Sequence, residues 1–90
     1  MKIWTKIIKG EKILKDNVYT IEKFNLNYIY DWLEEICHIL DEPLPIILNK
    51  HLSHINEFNS TTFLPADFVE NVNFERMVIE IFDENPQKKK

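Results

Sequence analysis

Glycine occurs once in this chain, at Gly10, and cysteine once, at Cys37. The lack of glycine excludes phosphate-binding loops, which need several glycines so that backbone amides can reach the anion. It also excludes the G-x-S-x-G elbow of serine hydrolases, as well as flexible linkers and low-complexity tracts. A lone cysteine permits no intrachain disulfide and no cysteine-based zinc site within one chain. No apolar run approaches the roughly 20 residues that span a bilayer. Lys2, Lys6 and Lys9 interrupt the opening segment, so it has no continuous apolar core of a signal peptide. A cytoplasmic protein without a membrane partner is therefore expected.

What is present is a core. The sequence is 44% hydrophobic and 12% aromatic, with 29% charged residues. Disordered chains lack that apolar content. Ninety residues suffice for one domain and are too few for two. We expect a single α+β domain over residues 1–84 and a flexible polar, basic tail over 85–90. The net charge of −4 is unevenly spread. Residues 1–24 carry six lysines against three acids, whereas residues 25–87 carry Lys50 and Arg76 against twelve acids. A basic front end is joined to an acidic body.

Period-two alternation predicts a strand over residues 2–9, with Ile3, Thr5 and Ile7 opposed to Lys2, Trp4, Lys6 and Ile8. Gly10-Glu11 makes a hairpin turn, and residues 12–22 return as the partner strand. Asp16-Asn17 marks a candidate bulge there. Residues 26–41 read as a helix capped by Asn25 and ended by Pro43. Leu26, Ile29, Tyr30, Leu33, Ile36, Cys37 and Leu40 form its apolar stripe, and Tyr28, Trp32 and Ile39 a second apolar band beside it. Pro45 to Leu48 reads as a short strand or extended segment. Residues 49–64 show no clean period but carry apolar residues that pack over the core. Pro65 opens one helical turn, and Phe74 to Phe82 is the last strand, with Met77, Ile79 and Ile81 facing one way. These elements predict an antiparallel or mixed sheet of three to four strands, the N-terminal hairpin plus the C-terminal strand, with the long helix on one face.

Two histidine-containing motifs invite chemistry. Cys37-His38 suggests a thiol nucleophile, but helical geometry puts Cys37 on the core stripe and His38 about 100° away on the wet face. His51-Leu-Ser-His54 suggests a metal site, yet the zincin pattern needs histidines four apart with a glutamate directly after the first. Ordinary loop histidines account for the pair. No catalytic, cofactor-binding or metal residue is assigned, and no cofactor is expected.

Two surfaces remain. Lys2, Trp4, Lys6, Lys9, Lys12 and Lys15 form a cationic hairpin with one aromatic, a composition that suits single-stranded nucleic acid. Lysines on an edge strand also serve simply to prevent aggregation. Tyr28, Trp32 and Ile39 widen the apolar arc of the long helix to roughly 200°, well beyond the ~100° a single sheet contact needs. Either residues 49–68 cover that band or it is a protein contact.

The blocks Lys2 to Lys9, Leu33 to Cys37, Pro45 to His51, Phe63 to Glu70 and Phe74 onward resemble a family of short uncharacterised proteins from Gram-positive bacteria. The resemblance implies an α+β fold and transfers no activity, cofactor or site residue. The expectation that fits best is a non-catalytic protein-interaction module, either self-associating or a subunit of a larger assembly. Nucleic-acid binding through the basic hairpin is the alternative, and a metal-dependent or thiol enzyme using Cys37, His38, His51 and His54 is the weaker one.

Overall fold

In the computed structural model, which describes residues 1–83, strand β1 (Lys2–Lys9) turns through Gly10-Glu11 into strand β2 (Lys12–Thr20). Gly10 has φ +64°, and Glu11 does not share that sign, which is the requirement of a type II′ hairpin turn. The tail expected at 85–90 lies outside the described residues. Strand β4 (Arg76–Phe82) pairs antiparallel with β1, and strand β3 (Ser60–Phe63) pairs antiparallel with β4. The sheet order is β2-β1-β4-β3, so β1 and β4 are central and β2 and β3 are edges.

Alternation divides the sheet into two unlike faces. Ile3, Thr5 and Ile7 of β1 join Met77, Ile79 and Ile81 of β4 and Phe63 of β3 on the buried inner face. Trp4, Lys6 and Ile8 point the other way and are half-buried.

The inner face is covered by two helices. Leu26–Tyr28 make a 3₁₀ turn that runs into helix α1 (Ile29–Leu40). The Asn25 side chain accepts the Asn27 N–H at 2.9 Å, which makes Asn25 the cap of that turn. Asp41 closes α1 in the left-handed region at φ 59°, and the Glu42 N–H donates to the Cys37 carbonyl at 2.9 Å. Helix α2 (Asn49–Phe58) contributes Ile55 to the same core cluster as Leu33, Ile36 and the inner-face strand residues.

Two polar straps hold α1 to the edge strand. The Lys15 ammonium donates to the Leu40 carbonyl at 2.8 Å and pairs with Glu42 at 2.7 Å. A cation there meets the negative end of the helix. The Tyr19 hydroxyl donates to Glu35, and that hydrogen bond is the main cause raising the phenol above its usual pKa.

The antiparallel, four-stranded α+β sheet with a long helix on one face is as expected, but three local expectations differ. The fourth strand is Ser60–Phe63, and Pro45 to Leu48, read as a short strand or an extended segment, is not part of the sheet. Pro43 and Pro45 have no N–H to give a ladder, and the Ile46 N–H bonds the Asp67 carbonyl instead. The bulge lies at Leu14, not Asp16-Asn17: Ile7 pairs with Lys15 and Ile8 with Ile13, which leaves Leu14 as the extra residue. Tyr30, assigned to the core stripe, is exposed, and Trp32 takes its place at 6% exposure.

These assignments predict a sharp contrast along α1. Leu33→Ala should lower unfolding free energy by about 2–5 kcal/mol, because it empties a fully buried site. Ile39→Ala, at an exposed site, should change it by no more than about 0.5 kcal/mol. Urea unfolding of the two variants checks both values.

Candidate functional site

His51 opens the second half of the first turn of α2 and is completely buried. Its Nδ1 accepts the Leu48 N–H at 2.9 Å, so the imidazole proton resides on Nε2. Nε2 faces Asp67 Oδ2 at 3.4 Å, beyond good hydrogen-bond distance. The same Asp67 oxygen accepts the Leu64 N–H at 2.9 Å. Each side chain thus satisfies the backbone at the start of its own turn, His51 for α2 and Asp67 for the 3₁₀ turn Pro65–Asp67. Phe63 packs on the imidazole with ring centroids 4.3 Å apart. Burial lowers the His51 pKa below its usual value, and Asp67 opposes the shift.

This arrangement is a structural clip. Nδ1 is occupied by the Leu48 N–H, and Nε2 is buried facing Asp67 without a hydrogen-bond partner, so the ring is closed off from solvent. His54, three residues on, is exposed and lies beside Phe58. The two histidines therefore do not converge, and His51 sits in the core rather than in a polar loop. Among the described residues no three His, Cys, Asp or Glu side chains are grouped to hold a metal ion. Asp67 escaped the reading of the sequence, although Pro65 at the first position of a turn with an acid two residues on is a helix-start signal.

Cys37 is buried on the core stripe, and His38 is exposed. Burial first, then the Glu42 carboxylate, pushes the Cys37 thiol up to about 12. A thiol so protonated is a poor nucleophile at neutral pH.

The structure splits the basic hairpin. Lys2, Trp4 and Lys6 share the outer face of the sheet, and Lys9 and Lys12 flank the turn. Lys15 lies on the opposite face, strapped to α1. Lys6 pairs with Glu80 at 2.9 Å and sits 4.3 Å above the Trp4 ring, while Trp4 Nε1 donates to Asp16 at 2.9 Å. Carboxylates are thus interleaved with the cations around the aromatic.

The helix band is divided too. Trp32 is buried against Phe24, ring centroids 6.1 Å apart, and so belongs to the core. Tyr28 and Ile39 remain exposed at 58% and 53%.

The surface that stands out was singled out in the sequence only in part, through Lys2, Trp4 and Lys6. No residue of this outer face belongs to the core cluster, and α2 reaches it at one end through Phe58. Trp4 and Lys6 of β1 lie beside Val18 and Asp16 of β2 and Glu80 and Val78 of β4. At one end a hollow of about 490 Å³ is lined by Trp4, Phe58, Asn59, Ser60, Glu80, Ile81 and Phe82. No family model, curated protein or solved structure matches this chain. The geometry is therefore the whole basis for a functional reading. Alternation did place Trp4 opposite Ile3 in the sequence; what it lacked was the strand order, which brings Val78, Glu80 and Phe82 beside Trp4.

The clip has a pH signature. The folded state resists protonation of His51 more than the unfolded chain does, so its contribution to stability is complete above pH 6.5 and is lost as the pH falls below that value. In an NMR titration the His51 ring should change state below 6.5. Asp67→Asn should lower that midpoint further, since Asp67 acts to raise it. A midpoint at or above 6.5, or a rise in Asp67→Asn, contradicts the assignment.

Proposed function

We propose that this protein is a non-catalytic interaction module that self-associates through the outer face of its sheet. The reading rests on one observation: the four-stranded sheet carries a helical layer on its inner face alone, while Trp4, Ile8, Val18, Val78 and Phe82 lie on the face without one. Aromatic anchors at the centre of a bare face are the usual energetic core of protein contacts.

A second copy is the occupant that the charge pattern supports. The face carries Lys2, Lys6 and Arg76 with Asp16 and Glu80. Cations and anions interleaved this way allow a two-fold axis to set each against its opposite. A polyanion meets the same acids as repulsion, which weighs against the nucleic-acid alternative. Four strands about 4.8 Å apart and seven residues of about 3.4 Å give a face near 450 Å² in projection. Accessible area exceeds projection, which puts such a dimer at the small end of specific interfaces, the class of weak and transient contacts. A cytoplasmic setting accords with a single buried thiol that takes part in no disulfide.

Sedimentation equilibrium tests the reading. The wild-type chain should dimerise in the micromolar range. Trp4→Ala and Val18→Asp should each weaken the dimer about tenfold or more, since removing an anchor or burying an unpaired charge costs 1.4 kcal/mol or above. Val18 is half exposed, so its variant should remain folded. Ile39→Asp on α1 should leave the dimer intact. A chain that stays monomeric at millimolar concentration, or a dimer lost only in Ile39→Asp, overturns the proposal.

A further inference from the structure

The two edges of the sheet are defended differently. Edge strands expose unpaired backbone groups, and proteins blunt them with lysines, bulges or a covering element. β2 carries Lys12, Lys15 and Asp16, contains the bulge at Leu14, and is strapped to α1. β3 reads Ser60-Thr61-Thr62-Phe63, with no charge, proline or bulge.

The register fixes which β3 groups face outward. The Ile81 N–H donates to the Asn59 carbonyl at 2.8 Å, and Asn59 stands opposite Ile81 by extension of the ladder Ser60–Glu80 to Phe63–Met77. In an antiparallel pair, hydrogen-bonded and non-hydrogen-bonded positions alternate. Thr61 and Phe63 therefore bond to β4, and the N–H and C=O of Ser60 and Thr62 point to the free edge.

Beside that edge runs a groove. A hollow of about 410 Å³ is lined by Ser60, Thr61, Thr62 and Leu64 on one side and by Lys50, His51, His54 and Phe58 of α2 on the other. Lys50, His54 and Phe58 are spaced by four, so they form one stripe along the helix, with buried His51 beneath it. Phe58 is 65% exposed. Lys50 is the single cation between Lys23 and Arg76, and it has no ion-pair partner among the described residues.

We propose that this groove receives an extended acidic peptide segment of a partner protein, which joins β3 as a fifth strand over α2. The inference rests on reading the protein as an interaction module, and its groove adjoins the outer-face hollow, sharing Phe58 and Ser60 with it. Ser60 and Thr62 supply the main-chain hydrogen bonds, as in other cases of strand addition. Phe58 is covered by an alternate side chain of the peptide, and Lys50 attracts its carboxylate. Because main-chain pairing tolerates most sequences, a generic strand-forming peptide with a free carboxylate is a sufficient probe.

The test uses the full chain carrying Val18→Asp, so that self-association through the outer face does not enter. The probe is the peptide Glu-Thr-Val-Thr-Val-Glu with a free C-terminus, followed by amide NMR. Binding in the range of high micromolar to millimolar is expected, with the largest shifts at Ser60 and Thr62 and slowed amide exchange there. Lys50→Glu should weaken binding about fivefold or more. Thr62→Pro should abolish it while leaving the fold intact, because proline is tolerated where an edge N–H faces solvent. N-methylation of the peptide at alternate residues should abolish binding in one phase and spare it in the other. The proposal fails if millimolar peptide moves neither Ser60 nor Thr62, or if Thr62→Pro binds normally. It also fails if the edge shifts appear on concentrating the protein without peptide, since a second copy is then the occupant.

Discussion

Strand β1 imposes the constraint on which the rest of the molecule depends. It is hydrogen-bonded on both sides, to β2 and to β4, so it cannot rotate to bury both of its faces at once. Ile3, Thr5 and Ile7 commit one face to the helices and are fully buried. Trp4, Lys6 and Ile8 are thereby committed to the other face, which α2 meets at one end through Phe58. A one-residue slip of register would exchange the two sets, so the buried isoleucines and the presented tryptophan are specified by the same ladder. Stability and surface are two readings of one alternation.

The charges follow from the same division. An uneven distribution along the sequence suggests a basic end and an acidic body, but folding mixes them. Lys15 goes to the end of α1 and Glu42, Lys6 to Glu80, and Trp4 to Asp16. The long lysine stems lie along the sheet while their ammonium groups find carboxylates from other elements. What remains at Trp4 is a face with an apolar centre and alternating signs around it, better suited to another protein surface than to a phosphate backbone. Lys50, one of two cations in the acidic body, lies beside the least defended strand edge.

The parts of the fold legible from sequence are those whose apolar period is strong. β1, β4 and α1 could be read because Ile3/Thr5/Ile7, Met77/Ile79/Ile81 and Ile29/Leu33/Ile36/Leu40 repeat at the spacing of their element. α2 and β3 were missed for an identifiable reason. One of the two buried residues of α2 is His51, which a hydropathy pattern counts as polar, and β3 is four residues long with three hydroxyl side chains. Pro45 to Leu48 looked more like a strand than Ser60–Phe63 because it is more apolar, yet its backbone bonds to the turn at Asp67 instead of to a neighbour in the sheet. Whether Trp32 was covered by residues 49–68 or by a partner stayed open in the sequence, because helical periodicity cannot show that Phe24, in the link before the helix, packs against it. The outer face needed strand order, which no local pattern contains.

The account is tested most directly by dilution. Amide and indole NMR signals of the wild-type chain should be compared at low micromolar and at millimolar concentration. If the outer face is the contact surface, concentration-dependent shifts will fall on the Trp4 indole and on Lys6, Val18, Val78 and Phe82, while Tyr28, Ile39 and the rest of α1 stay fixed. Shifts centred on α1, or none anywhere across that range, would contradict it.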